Sequence, residues 1–230
     1  DSSTSRGLGD VYKRQEYDDL VKLAVTEDKG EQENGTDDQD GSRFSVDFDA
    51  LRQINPDVVA WIRFDEPAVI NYPVVQGSDN SEYLSKTFKG YDNTVGTIFV
   101  NAYNHADFND RNTIIYGHYM YNGTMFNELE QYHEKSFWEK CPSFYIYTPD
   151  GNVATYQIYS VGVVKDTSEG YTYQFADDAA FASFLEATKA SSLYDTGVEV
   201  GNDSQIVTLS TCTRLSLIHI SEPTRRRGIS

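Results

Sequence analysis

Between Val58 and Ser210 the chain runs as short apolar, β-branched and aromatic stretches separated by Gly, Pro, Asn and Asp, the pattern of a strand-rich fold. The stretches predict strands over Val58–Phe64, Val69–Val75, Gly96–Asn101, Asn112–Tyr116, Ser143–Thr148, Val153–Val164 and Gln205–Ser210. Pro149-Asp-Gly-Asn152 carries the residues of a tight hairpin turn. Helical spacing interrupts the strands at Asn80–Phe88, Met125–Tyr132 and Asp177–Ser191, the last through Ala180, Phe181, Phe184, Leu185 and Thr188. Upstream, Leu20, Leu23 and Ala24 predict a helix over Glu16–Glu27, and Asp47 caps a short helix through Leu51 and Ile54 that Pro56 stops. Asp28–Ser42 between them is acidic, has no apolar residues and reads as a flexible linker. Many short strands with inserted helices predict a closed or nearly closed, mostly β barrel with an N-terminal helical appendage, not a doubly wound parallel sheet.

The two ends change the picture. Ser5–Gln15 reads SRGLGDVYKRQ and Leu215–Arg225 reads LSLIHISEPTR. A single DNA string encodes the first, and its reverse complement encodes the second through all 11 codons. The string resembles a transposon-end adapter of sequencing libraries. Residues 1–15 and 215–230 are therefore set aside as adapter-like scars. That leaves 16–43 as N-terminal helix and acidic linker and 44–214 as the strand-rich domain.

The whole chain carries a net charge of −17; without the two ends it holds 13 basic against 33 acidic residues, a net of −20. Nucleic acid is excluded as a partner, because a phosphate backbone needs a basic face to release its counterions. No apolar run approaches the about 20 residues needed to span a bilayer, and an anchor upstream of Glu16 would lie outside this sequence. Two cysteines, Cys141 and Cys212, make no disulfide framework.

Cys212 closes the apolar run Thr208-Leu-Ser-Thr-Cys212, and a cysteine nucleophile needs an imidazole to take its proton or steady its thiolate. Of the four histidines, His219 lies in the scar, His133 sits at a solvated helix end and His105 in the polar loop 101–111. That leaves His118, which follows Thr113-Ile-Ile-Tyr-Gly117, where a small glycine permits close approach at a strand end. Spacing alone does not join the two: singly, Cys212 also reads as a packing residue and His118 as a hydrogen-bonded structural histidine. A metal site from His105, Asp107 and His118 matches no known cage spacing.

The segments Asn112-Thr-Ile-Ile-Tyr-Gly-His118, Met120-Tyr-Asn-Gly-Thr-Met-Phe126 and Thr208-Leu-Ser-Thr-Cys212 resemble sortases, the cell-wall transpeptidases of Gram-positive bacteria. Asn55-Pro-Asp-Val-Val-Ala-Trp61, Asn71-Tyr-Pro-Val-Val-Gln76 and the stretch from Asp79-Asn80 through Tyr83-Leu84 fit the same family, and the match runs in order over Phe44–Thr213. The N-terminal helices and the helix inserted before the cysteine strand resemble class B. The resemblance implies a β-barrel with His118 and Cys212 facing each other at one end, and a groove lined by Asn80, Leu84, Tyr116 and Ser210. It implies that the thiolate attacks the Thr carbonyl of a Pro-x-Thr-Gly or Pro-x-Thr-Asn sorting signal of a surface protein. An amine of a peptidoglycan precursor then resolves the thioester. No cofactor and no metal are called for. The expected location is the extracellular face of the cell membrane, reached through an anchor missing from this fragment. The competing functions are a cysteine peptidase of another fold and a noncatalytic surface-binding module.

One departure stands out. Sortases carry an arginine about ten residues after the cysteine, on the next strand, where it steadies the developing oxyanion. Position 222 here is Glu222, inside the scar, and Arg214 is too close to Cys212 to take that role. The family arginine is thus absent, the expected barrel lacks its last native strand and the fragment is expected to be impaired. An open strand edge invites a partner, and the partly alternating Leu215–Ile220 is the segment expected to fill the slot.

Overall fold

The computed structural model describes residues 2–27, 44–118, 123–163, 169–211 and 217–227. Residues 28–42, Met120, Tyr121, Asn122, Cys212 and Arg214 lie outside the described residues. The chain divides into two compact units, residues 1–56 and 57–230.

In the first unit α1 (Ser2–Ala24) buries Tyr17, Leu20 and Ala24, spaced to fall on one helix face. It begins well before the expected Glu16 and also ends sooner. Val25 and Thr26 are β-branched, stiff residues that favour extended backbone. They open β1 (Val25–Glu27), which pairs antiparallel with β2 (Phe44–Val46). The expected helix through Glu27 is corrected accordingly. Asp47 caps α2 (Phe48–Ile54) as expected, its carboxylate accepting from the Ala50 amide at 3.0 Å. Among the described residues no helix is long and apolar enough to cross a membrane.

The second unit is a barrel. Its wall comprises β3 (Val58–Arg63), β4 (Asn71–Val75), β5 (Ile98–Val100), β6 (Asn112–Gly117), β7 (Ser143–Tyr147), β8 (Asn152–Gly162) and β9 (Gln205–Thr211), each inside or within two residues of its predicted range. β10 (Leu217–Arg227) lies between β9 and β8 and closes the ring in the order β10-β8-β7-β3-β4-β5-β6-β9. The expected gap left by the missing strand is thus filled, by the adapter-like segment singled out for it. Period-two alternation of apolar residues suffices for an unpaired strand edge to recruit a partner. The fit is imperfect: β10 pairs with β9 over six consecutive residues but shifts register twice against β8. Trp61, Val74, Ile98, Ile115, Ile158 and Leu209 are among the fully buried residues of the core.

The helices are fewer than the spacing predicts. Over Asn80–Phe88 only a three-ten turn, Glu82–Leu84, forms. The Tyr83 carbonyl accepts from the Thr97 amide at 3.0 Å and the Leu84 carbonyl from His118 at 2.8 Å, so tertiary partners hold the oxygens that a helix would use. Met125–Tyr132 likewise gives a three-ten turn, Asn127–His133, followed by α3 (Lys135–Lys140). The inserted helix α4 (Asp178–Ala190) forms as predicted, capped by Asp177 through the Ala180 amide at 2.8 Å. It packs Phe181, Phe184 and Leu185 against Tyr159 and Ile206 of the barrel wall.

Candidate active site

Two parallel neighbours, β6 and β9, build the site. Their register runs from Asn112 opposite Ile206 to Gly117 opposite Thr211. Side chains alternate along each strand and paired residues share a side. Asn112, Ile114 and Tyr116 thus lie on one face with Ile206, Thr208 and Ser210. Being parallel, the two strands hand the chain on at the same rim, one to His118 and the other to Cys212, which lies outside the described residues.

His118 is half-buried, and its Nε2 donates to the Leu84 carbonyl at 2.8 Å. A carbonyl only accepts, so the proton sits on Nε2 and Nδ1 is the nitrogen whose proton can come and go. Gly96 makes room for this ring and its anchor, and Gly117 for the neighbouring Phe126. A Cβ on Gly117 would lie 2.5 Å from the buried Phe126 ring, and one on Gly96 would lie 2.4 Å from the Tyr83 carbonyl oxygen and 3.0 Å from His118 Cδ2. The close approach expected of Gly117 is therefore present, against Phe126, and Gly96 supplies a second that the sequence did not reveal.

Beside His118 the rings form a wall. Tyr116 stacks between Phe99, with centroids 5.2 Å apart, and Tyr171, at 6.3 Å and 8°. The Tyr171 hydroxyl shares a 2.8 Å hydrogen bond with Ser210 Oγ. Of the four expected groove residues, Tyr116 and Ser210 are thus joined through Tyr171, and Leu84 holds His118 through its backbone. Asn80 is tied elsewhere: its amide donates to Asn101 Oδ1 at 2.9 Å and its oxygen accepts from the Ala102 amide at 2.8 Å. Tyr171 was missed because nothing in Gly170-Tyr-Thr-Tyr173 ties it to a strand nearly forty residues away.

The remaining titratable groups sort as follows. His105 is exposed and pairs through Nδ1 with Asp110 Oδ1 at 2.6 Å, a hydrogen bond that raises its pKa. It sits in the loop entering β6, while His118 follows that strand's other end. Among the described residues no group of three or more His, Cys, Asp or Glu side chains is arranged to hold a metal ion. Cys141 is a buried free thiol, 4% exposed, and burial pushes its pKa up.

The register of β10 bears on the oxyanion. Leu217 stands opposite Ser210, and the first arginine of the strand, Arg225, stands opposite Ala154 near the other end of β8. Eight residues of strand at about 3.3 Å each separate Arg225 from Leu217, roughly 26 Å. No arginine of β10 is registered beside the rim that carries His118.

A family model described as a sortase domain matches residues 65–226. A sortase B of Listeria monocytogenes is 34% identical over 164 residues, which cover 70% of this chain and 65% of that protein. The chain thus spans about two thirds of that relative's length. Among solved structures, a Bacillus anthracis protein described as similar to sortase B superposes with a TM-score of 0.80 at 30% identity, covering 94% of this chain and 98% of the other. A Staphylococcus aureus sortase B–substrate complex superposes with a TM-score of 0.78 at 26% identity, covering 96% and 99%.

Proposed function

The chain belongs to the sortase family, and from that premise we propose that it is the catalytic part of a class B cysteine transpeptidase, with Cys212 as nucleophile and His118 as its acid–base partner. The observation that carries this reading is the parallel register of β6 and β9, ending at Gly117 opposite Thr211, one residue before each reactive group. The Cys212 thiolate attacks the Thr carbonyl of a sorting-signal peptide. The tetrahedral oxyanion collapses, the carbon–nitrogen bond breaks and His118 Nδ1 gives its proton to the departing amine. A peptidoglycan amine then attacks the thioester, His118 takes the proton back and the thiolate leaves. The Nε2 bond to the Leu84 carbonyl fixes the tautomer that this cycle needs. Tyr116, Ser210 and Leu84 flank the bound peptide, and Asn80 shapes its outer end through the Asn101 loop. The substrate-bound staphylococcal relative supports a peptide groove in this fold. The enzyme works at the extracellular face of the membrane, held there by an anchor outside this sequence.

The same reading makes the chain as written slow. With Leu217 at the register position beside Ser210 and Arg225 near the other end of β8, β10 brings no arginine to the oxyanion, a loss worth about a hundredfold to a thousandfold in rate. The test is incubation with Pro-x-Thr-Gly and Pro-x-Thr-Asn peptides, with and without triglycine. A transpeptidase yields more product, and a joined product, when the amine is added. A peptidase of another fold gives hydrolysis alone, and a binding module gives neither. Replacing residues 215–230 with a strand that carries an arginine ten residues after Cys212 is expected to raise turnover at least a hundredfold; an equal rate refutes the claim of impairment.

A further inference from the structure

The crossover from β8 to β9 carries Tyr171, one wall of the groove, yet residues 169–177 contain no regular element beyond a single three-ten turn, Glu169–Tyr171. Something outside that segment must fix it, and one fully buried side chain does so. Asn112, the first residue of β6, is 0% exposed. Its Nδ2 donates to the Thr172 carbonyl at 2.8 Å, and its Oδ1 accepts from Thr208 Oγ1 at 2.8 Å. Since a carbonyl only accepts and Thr208 turns its hydroxyl proton toward Oδ1, the carboxamide has one orientation. The backbone carbonyl of Asn112 is held in turn by Asn104 Nδ2 at 2.9 Å. Asn104 also donates to Asp110, and its oxygen accepts from Asn101 and from the Ile114 amide. Asn112 therefore joins three pieces of chain: the crossover, the strand leading to Cys212 and the loop that enters β6.

We infer that Asn112 is a positioning residue for the acyl-donor peptide, holding Thr172 and with it the neighbouring Tyr171 in register with Ser210 and Tyr116. This rests on the transpeptidase reading for its functional half and on geometry alone for its structural half. A buried carboxamide bonded through both its nitrogen and its oxygen at a strand start is costly unless those partners are in place. Thr208 lies on the same face of β9 as Ser210, two residues closer to the strand's start. The Asn112–Thr208 bond thus transmits the position of the Cys212 strand to the wall that the peptide meets. Arg111, one residue earlier, clamps the far side of the same crossover: it pairs with Asp178 and its guanidinium lies 4.9 Å over the Phe181 ring. Freed of Asn112, the crossover pivots about this clamp at its α4 end, and Tyr171 is the part that moves.

The test uses the whole chain with Asn112→Asp. Burial raises the pKa of such a carboxyl, so exchange is followed at alkaline pH, where the ionised carboxylate still accepts from Thr208 but sets an oxygen against the Thr172 carbonyl. Hydrogen exchange at residues 170–173 is expected to quicken at least about tenfold, the worth of one net hydrogen bond being the lower bound, and by more than the amides of β6 and β9. The concentration of a Pro-x-Thr-Gly or Pro-x-Thr-Asn peptide that half-protects Cys212 from iodoacetamide should rise by a similar factor, while the unprotected alkylation rate stays the same. As pH falls the carboxyl regains a proton, donates again to Thr172 and the defect shrinks. Should Asn112→Asp not fold, Thr208→Val removes the bond that orients the carboxamide and gives smaller shifts in the same direction; Thr208→Ser, which keeps the hydroxyl, restores the parent values. Unchanged exchange at 170–173 overturns the inference, as does a uniform quickening over the whole barrel. If neither peptide protects the parent chain, the transpeptidase reading and the functional half fail together, and the exchange measurement still decides the structural half.

Discussion

Gly96→Ala tests how His118 is held. Gly96 has φ of +66°, the left-handed region, so any side chain there costs about 1 kcal/mol of backbone strain. The added methyl meets more than strain. It would sit 2.4 Å from the Tyr83 carbonyl oxygen, 2.9 Å from that of Leu84 and 3.0 Å from His118 Cδ2. Two of these three atoms are the two ends of the His118 anchor region, and the carbonyls are backbone, unable to rotate aside. Overpacking of this kind costs about 1–3 kcal/mol. The total, about 2–4 kcal/mol, corresponds to a fall in melting temperature of roughly 5–15 °C for a domain of this size. Gly151 is the control: its φ is +81° and nothing lies within 4 Å of a Cβ built there, so Gly151→Ala reports strain alone. Thermal unfolding by circular dichroism gives both values, and peptide turnover gives the second readout. Gly96→Ala should melt well below Gly151→Ala and lose about tenfold in turnover through a displaced Leu84–His118 bond. If the two variants melt together and Gly96→Ala turns over at the parent rate, the contact argument is wrong.

Other outcomes follow from single observations. Thr113 Oγ1 is buried and has no hydrogen-bond partner among the described residues, so Thr113→Val should stabilise the barrel by about 1 kcal/mol, read as a higher melting temperature. Iodoacetamide should label Cys212 well before Cys141, whose thiol is 4% exposed and pushed up by burial; peptide mapping that finds equal labelling contradicts this. The hydrogen bond and charge of Asp110, with a smaller contribution from Asp107, hold the His105 pKa above 6.5. Partial burial pushes the Asp110 carboxyl up, but bonds from His105 and Asn104 outweigh it and keep it below 3.8. The His105 contribution is full below 6.5 and is lost as pH rises through the folded value. The Asp110 contribution is present above 3.8 and is lost as pH falls through its folded value. Loop 101–111 is therefore most stable between the two, and an NMR titration of Asp110→Asn should show His105 returning toward 6.5.

The seven strands from β3 to β9 were legible because their apolar, β-branched runs are bounded by Gly, Pro, Asn and Asp, and a strand in a closed barrel needs little more. Asp47 announced its helix for an equally local reason, a carboxylate that caps the third residue on, and α4 announced itself by its apolar spacing. The stretch Asn80–Phe88 misled because its helical spacing is real while its carbonyl oxygens are taken by Thr97 and His118, partners that only the folded barrel brings near. Leu84 entered the groove through family resemblance, yet its contribution to His118 is a backbone oxygen, which no side-chain pattern encodes. Tyr171 and Asn112 act across separations of 39 and 60 residues, beyond the reach of any local signal. The slot beside β9 shows the converse. Leu217, Ile218 and Ile220 are apolar and partly alternating, enough to pair although the segment is adapter-like, so pattern alone fills the place without supplying the arginine.

Mass spectrometry of the chain incubated with a Pro-x-Thr-Gly or Pro-x-Thr-Asn peptide tests most directly whether Cys212 and His118 act on one acyl group. The expected result is a thioester on Cys212 that carries the peptide through its Thr, absent from Cys212→Ala, slow to form in His118→Ala and discharged by triglycine into a joined product. An acyl group found on Cys141, or peptide cleavage that proceeds equally in Cys212→Ala, would contradict it.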